Sequence, residues 1–250
     1  MKFKQKTPGV KIPKKPALAP REPMAEKIDP AKLEKCRMLL SAGQNAEAAV
    51  SLHSSPEDFE IVGAFLKDPN AAIRKEAVRT LGIAAKIGTD ISAVLPAIAT
   101  ALSDTDDDVR SGATLALGNA AANRADIRLA LPALANALSD TDVNVRWNAA
   151  FVLGIAAEKG TDIGIAIHVL AQAISDPNDQ VRRSSAYALV RAANNLDHDT
   201  RVSLTATILG FVNSPAFRLE AEQNSTKFLD VMGYLGHLIW KIQEAEENAA

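Results

Sequence analysis

Four stretches of the chain lie over one another without a gap: "DPNAAIRKEAVRTLGIAA" from residue 68, "DTDDDVRSGATLALGNAA" from 104, "DTDVNVRWNAAFVLGIAA" from 140 and "DPNDQVRRSSAYALVRAA" from 176. The period is 36 residues. Asp68, Asp104, Asp140 and Asp176 recur in phase, as do Arg74, Arg110, Arg146 and Arg182, and Leu81, Leu117, Leu153 and Leu189. A unit of this size cannot bury its own apolar face. The repeat therefore restricts the chain to a stack in which each unit is completed by its neighbours.

Each unit reads as two helices. In "TDISAVLPAIATALS", Ile91, Leu95, Ile98 and Leu102 fall at spacings of three and four and so share one helical face. Asp90 is placed to cap this first helix, and a turn around Asp104–Asp106 ends it. The second helix follows in "DDVRSGATLALGNAAAN", with Val109, Ala113, Ala116, Leu117 and Ala120 as its apolar stripe. Its many alanines allow neighbouring helices to approach to about 8–10 Å. "GTD" at 88–90 and 160–162 reads as the turn between units, glycine closing one helix and aspartate opening the next.

These residues resemble the HEAT-repeat family, in particular the short HEAT-like repeats of phycobilisome-lyase-type proteins. The resemblance is carried by Pro96 and Pro132, by the four turn aspartates, and by Ile73-Arg74, Val109-Arg110, Val145-Arg146 and Val181-Arg182. It covers about residues 56–240. His168 stands where the fourth unit would have proline, and Val190 where the other units have Gly82, Gly118 and Gly154. The tetratricopeptide signature is absent despite a similar period. The fold implied is an all-α, right-handed solenoid of about five two-helix repeats. The family also implies a structural ladder in which Asp68, Asp104, Asp140 and Asp176 bond to Arg74, Arg110, Arg146 and Arg182 and to nearby amides.

The ends depart from the repeat. Residues 1–28 hold eight basic side chains against Glu22 and Glu26, a net +6 that leaves −8 on the remainder of a chain whose total is −2. Five of the twelve prolines also fall there, and the segment reads as a disordered basic arm. Residues 29–55 read as an amino-terminal helical cap opened by Asp29 and Pro30, residues 56–196 as the repeats, and 197–250 as a degenerate repeat with a capping helix. In that last segment Arg218 stays in phase but the aspartate is lost to Val212. With no apolar run of about 18 residues, no signal-peptide pattern and a near-neutral total charge, the expectation is a cytoplasmic protein without a membrane partner. Nucleic acid is expected, if at all, only through the arm.

Catalysis finds little support. His53, His168, His198 and His237 fall in unrelated repeat phases, and no His-Glu dipeptide of the kind used by HEAT-like hydroxylases is present. There is no GxSxG, phosphate-binding glycine loop or Cys/His pair, and the single Cys36 reads as a reduced, half-buried helix residue. "NST" at 224–226 carries no meaning in a cytoplasmic chain. No catalytic, metal or cofactor residues are assigned. HEAT-like DNA glycosylases offer one comparison, with Trp147, Tyr187, Arg183 and Glu158 supplying their residue types, but the repeats are too acidic for phosphate neutralisation.

The candidate site comes from the second helices. Counting about 100° per residue from Val145 puts Gly154 at about 180°, Trp147 at about 200° and Phe151 at about 240°, all away from the core. The family's second helices line the concave surface, so residues in register form columns along it. One column is Lys75, Ser111, Trp147 and Arg183; the next is Arg79, Leu115, Phe151 and Tyr187; a third is Lys86, Ala122, Glu158 and Asn194. Gly82, Gly118 and Gly154 are expected in the middle of the same face, flattening its floor. Trp147, Phe151, Tyr187, Arg183, Leu115, Lys75 and Arg79 are the expected partner-binding residues of a non-catalytic scaffold or adaptor. The expected partner is an extended or helical protein segment with apolar and acidic residues. The alternative is an accessory, lyase-like subunit that presents a prosthetic group to another protein.

Overall fold

The computed structural model describes residues 30–43 and 56–193, with positions 206, 209, 210, 233, 236, 239 and 240 in helix. The arm at 1–28, the fifth unit and the capping segment at 197–250 otherwise lie outside the described residues. Among the described residues the chain is all helical. After α1 (Pro30–Ser41) and α2 (Pro56–Ala64) come α3 (Ala71–Lys86), α4 (Leu95–Ala101), α5 (Asp107–Ala122), α6 (Leu131–Ala137), α7 (Val143–Glu158), α8 (Ile167–Ala173) and α9 (Asp179–Ala192). The second helices α3, α5, α7 and α9 begin 36 residues apart, and so do the first helices α4, α6 and α8. No helix among the described residues is long and apolar enough to cross a membrane.

Local chemistry sets these boundaries. Asn70, Asp106, Asp142 and Asn178 precede the second helices in extended backbone, and their side-chain oxygens accept from amides of the first turn. Each first helix is shorter than its apolar periodicity implies. A 3₁₀ turn (Ser92–Val94, Arg128–Ala130 and Gly164–Ala166) precedes the α-helical part. Asp90 therefore caps the 3₁₀ turn, accepting from Ser92 N at 2.9 Å, rather than opening one continuous helix. Pro96 lacks the N–H that would bond back across this junction, and Pro132 repeats the lack. With His168 in that place α8 still starts at the same register, so the break belongs to the repeat and not to proline alone.

The core is continuous along the stack. Ile91, Leu95, Ile98 and Leu102 are buried, as are Leu81, Leu117, Leu153 and Leu189. Each second helix packs on the next, α3 on α5, α5 on α7 and α7 on α9, and on the first helix of its own unit. Cys36, on α1 where that helix meets α3, is fully rather than half buried, and burial pushes its thiol up to about 11. The thiolate is thereby suppressed at neutral pH.

Candidate interaction surface

Along one edge of the stack, carboxylates and guanidinium groups link unit to unit. Arg74 donates through Nε and an Nη to both oxygens of Asp104, at 2.7 Å each. Arg110 does the same to Asp140 at 2.7 and 2.8 Å, and Arg146 to Asp176 at 2.7 and 3.2 Å. The other Nη of each arginine turns back to the carbonyls of its own turn, as with Arg110 to Asp104 O at 2.9 Å. Arg182 makes the equivalent bonds to Asp176 O and Pro177 O. Arg37 of α1 reaches Asp68 at 3.5 Å. Each aspartate also accepts from the amide two residues on, so one carboxylate fixes its own turn and holds the preceding unit's arginine. For Asp104 and Asp140 burial works to raise the pKa, but the arginine and amide bonds outweigh it and the carboxyls lie below their usual range.

The opposite surface of the second helices carries the aromatic columns. Phe151 is 45% exposed and Leu115 51% exposed, while Trp147 is half-buried. On α7 the open strip is centred on Phe151, with exposed Asn144 and Glu158 seven residues to either side. Arg79 and Arg183 are also exposed. Lys75 bridges to Asp108 of the next unit at 2.6 Å, which raises its pKa, and Arg79 lies 3.3 Å from Glu76. The basic first unit is thus partly neutralised by carboxylates that the column reading did not include.

One expectation about this face needs correction. Gly82, Gly118 and Gly154 are buried and do not form its floor. A second helix within the stack is covered by its own first helix and, on its flanks, by two neighbouring second helices, so a residue off the Val145 stripe can still face a neighbouring helix. Gly154 sits about 60° to the side of Phe151, and that side faces α9. A Cβ there would lie 2.5 Å from Tyr187 Cδ1; at Gly118 it would lie 2.8 Å from Val152 Cγ2, and at Gly82 only 3.6 Å from Ala116. Gly118 and Gly154 make room for the next helix, whereas Gly82 leaves space for a methyl.

Tyr187 is held by contacts within the surface itself. Its ring lies across Gly154, its hydroxyl donates to Glu158, and the Arg191 guanidinium stands 4.9 Å from its ring centroid. Arg191 also lies 3.7 Å from Glu158. The Tyr187 hydrogen bond, with help from Arg191, lowers the Glu158 pKa, while burial and Glu158 raise that of Tyr187. Arg191 escaped the sequence reading because its counterparts, Ile83, Asn119 and Ile155, share no charge with it. Trp147, Phe151 and Leu115 remain as the apolar centre, with Arg183 at its rim.

No group of three or more His, Cys, Asp or Glu side chains among the described residues is placed to hold a metal ion. The surface offers apolar contact flanked by charge.

Comparison with known proteins agrees with this architecture. A family model described as HEAT repeats matches residues 59–130. No curated protein matches the sequence. Among solved structures, a designed armadillo repeat protein in complex with peptide (KR)4 is similar at 17% identity and a TM-score of 0.62, covering 84% of this chain and 98% of its own. A computationally designed armadillo repeat protein for modular peptide recognition gives 17% identity and a TM-score of 0.62 over 83% and 98% of the two chains. An engineered protein gives 19% and 0.57 over 86% and 93%. At these identities the likeness is one of fold. The chain thus has the fold of an α-helical repeat solenoid, similar to that of designed armadillo repeat proteins, and its residues 59–130 match the HEAT-repeat family model.

Proposed function

We propose that this chain is a non-catalytic, cytoplasmic protein-binding module that docks a partner segment on the open strip of its second helices. The observation that carries the reading is the exposure of Leu115 and Phe151 in successive units, with Trp147 beside them on α7. Large apolar side chains exposed in adjoining units gain by being covered, and aromatic residues dominate binding energy when they are. Glycine and alanine contacts draw the second helices close together, which supports placing the strip on the inner, concave side. Lys75, Arg79, Lys86 and Arg183 against Glu158 give the three columns a net +3, or +1 once the neighbouring Glu76 and Asp108 are counted, although the whole chain carries −2. Acidic residues flanking the partner's apolar anchors complement that charge. The (KR)4 peptide of the designed relative supports a peptide-like partner, but its basic sequence does not suit this strip.

The test is the double substitution Trp147→Ala with Phe151→Ala, followed by affinity capture and a thermal melt. The fold should survive, because Phe151 is largely open, while partner capture weakens about tenfold or more, a loss of about 1.4 kcal/mol or more. Undiminished capture at an unchanged melting temperature would move the site elsewhere. A large fall in melting temperature would place the rings in the packing between units.

A further inference from the structure

We infer, resting on the docking strip proposed above, that its occupant is an acidic amphipathic α-helix lying across the row of second helices, and not an extended peptide. An extended segment leaves its backbone N–H and C=O groups to be satisfied by the surface it binds, whereas a helix satisfies its own. Several polar groups beside the strip's apolar centre are already engaged within the stack. Asn119 donates its amide to Gly82 O at 3.0 Å, one helix back, and Asn123 donates to Ala85 O at 2.7 Å. Asn148 is buried and donates to Ser111 Oγ at 3.2 Å. Glu158, the carboxylate nearest the aromatic centre along α7, already accepts from the Tyr187 hydroxyl. Around the apolar side chains stand the exposed guanidinium groups of Arg79 and Arg183, and this matches a helix that presents one apolar stripe edged with carboxylates. The dimensions agree. Three steps between second helices at about 8–10 Å span about 24–30 Å, the length of a helix of about 16–20 residues.

The experiment uses the full chain and two synthetic, fluorescein-labelled peptides of about 18 residues. One carries Leu and Phe at helical spacing and Glu elsewhere, locked helical by a hydrocarbon staple. The other has the same sequence with two central prolines and no staple, so it stays extended. Each is titrated by fluorescence anisotropy against the native chain, the Trp147→Ala, Phe151→Ala double variant and an Arg183→Glu variant, with circular dichroism to verify folding. The expected result is at least tenfold tighter binding of the helical probe, lost in the double variant and weakened severalfold by Arg183→Glu. Equal or tighter binding of the proline probe, still lost in the double variant, would overturn the helical occupant and leave the strip standing as a docking face. Failure of both probes to bind, or binding that both variants leave unchanged, would overturn the docking strip and the helical occupant together. Should the double variant unfold, Arg183→Glu alone decides the second comparison, because its side chain is exposed.

Discussion

One residue type answers to three environments at positions 82, 118 and 154, and the difference is measurable. An alanine Cβ at Gly82 would stand at ordinary contact distance, 3.6 Å, from Ala116. Gly82→Ala should therefore keep the helix-propensity gain and stabilise the fold by up to about 1 kcal/mol. At Gly154 the same methyl would lie 2.5 Å from Tyr187 Cδ1 and 3.4 Å from the Ala188 backbone, so the ring must leave its place. Overpacking of this kind costs about 1–3 kcal/mol, which outweighs the propensity gain, and Gly154→Ala should lower the melting temperature. Equal shifts for the two variants would contradict this account of the glycines. The repeat phase of these glycines was legible from the chain alone, but their role was not. Periodicity measures angle about one helix axis and is blind to the neighbour that occupies a given angle. The same limit hid Arg191 over Tyr187 and Asp108 beside Lys75, which are contacts between units.

At the scale of the element, the second helices were readable nearly to the residue, since apolar spacing and turn residues agree along their whole length. The first helices were not. The run from Ile91 to Leu102 keeps its spacing through a 3₁₀ turn, and the resulting stripe is buried whether or not the backbone stays α-helical. The turns between units hold a further difference. Gly88 and Gly160 adopt φ of +86° and +87°, and the in-phase residue of the third turn, Arg124, adopts +65°. Left-handed backbone costs a residue with a Cβ about 1–2 kcal/mol, partly offset by the lower chain entropy of arginine in the unfolded state. Arg124→Gly should raise stability by about 0.5–1 kcal/mol, a rise of about 1–4 °C in melting temperature for a chain of this size. Gly88→Ala should shift it the opposite way. A lower melting temperature for Arg124→Gly would mean that the arginine makes a contact worth more than the strain.

For the whole molecule, stability is a matter of coupling between units, because each touches only its neighbours. The 36-residue phase of Asp and Arg announced a link but not its direction, which runs forward from the arginine of one unit to the aspartate 30 residues on. That direction has a consequence for acid stability. Asp104 and Asp140 are largely buried and their pKa values lie below the usual range, so the folded state binds protons less readily than the unfolded chain, whose aspartates titrate at about 3.9. Their contribution is complete above that value and is lost as the pH falls through the lower, folded-state pKa. Thermal melts should hold level from neutral pH to about 5 and then fall steeply below about 4. Arg110→Ala leaves Asp140 without its guanidinium partner, and at pH 7 should cost about 1–3 kcal/mol. The gap between variant and native chain should narrow on acidification, because protonating Asp140 removes from the native chain the interaction that the variant already lacks. A gap that stays constant down to about pH 3 would show that Arg110 acts through its bond to the Asp104 carbonyl and its packed stem instead of through the carboxylate of the following unit.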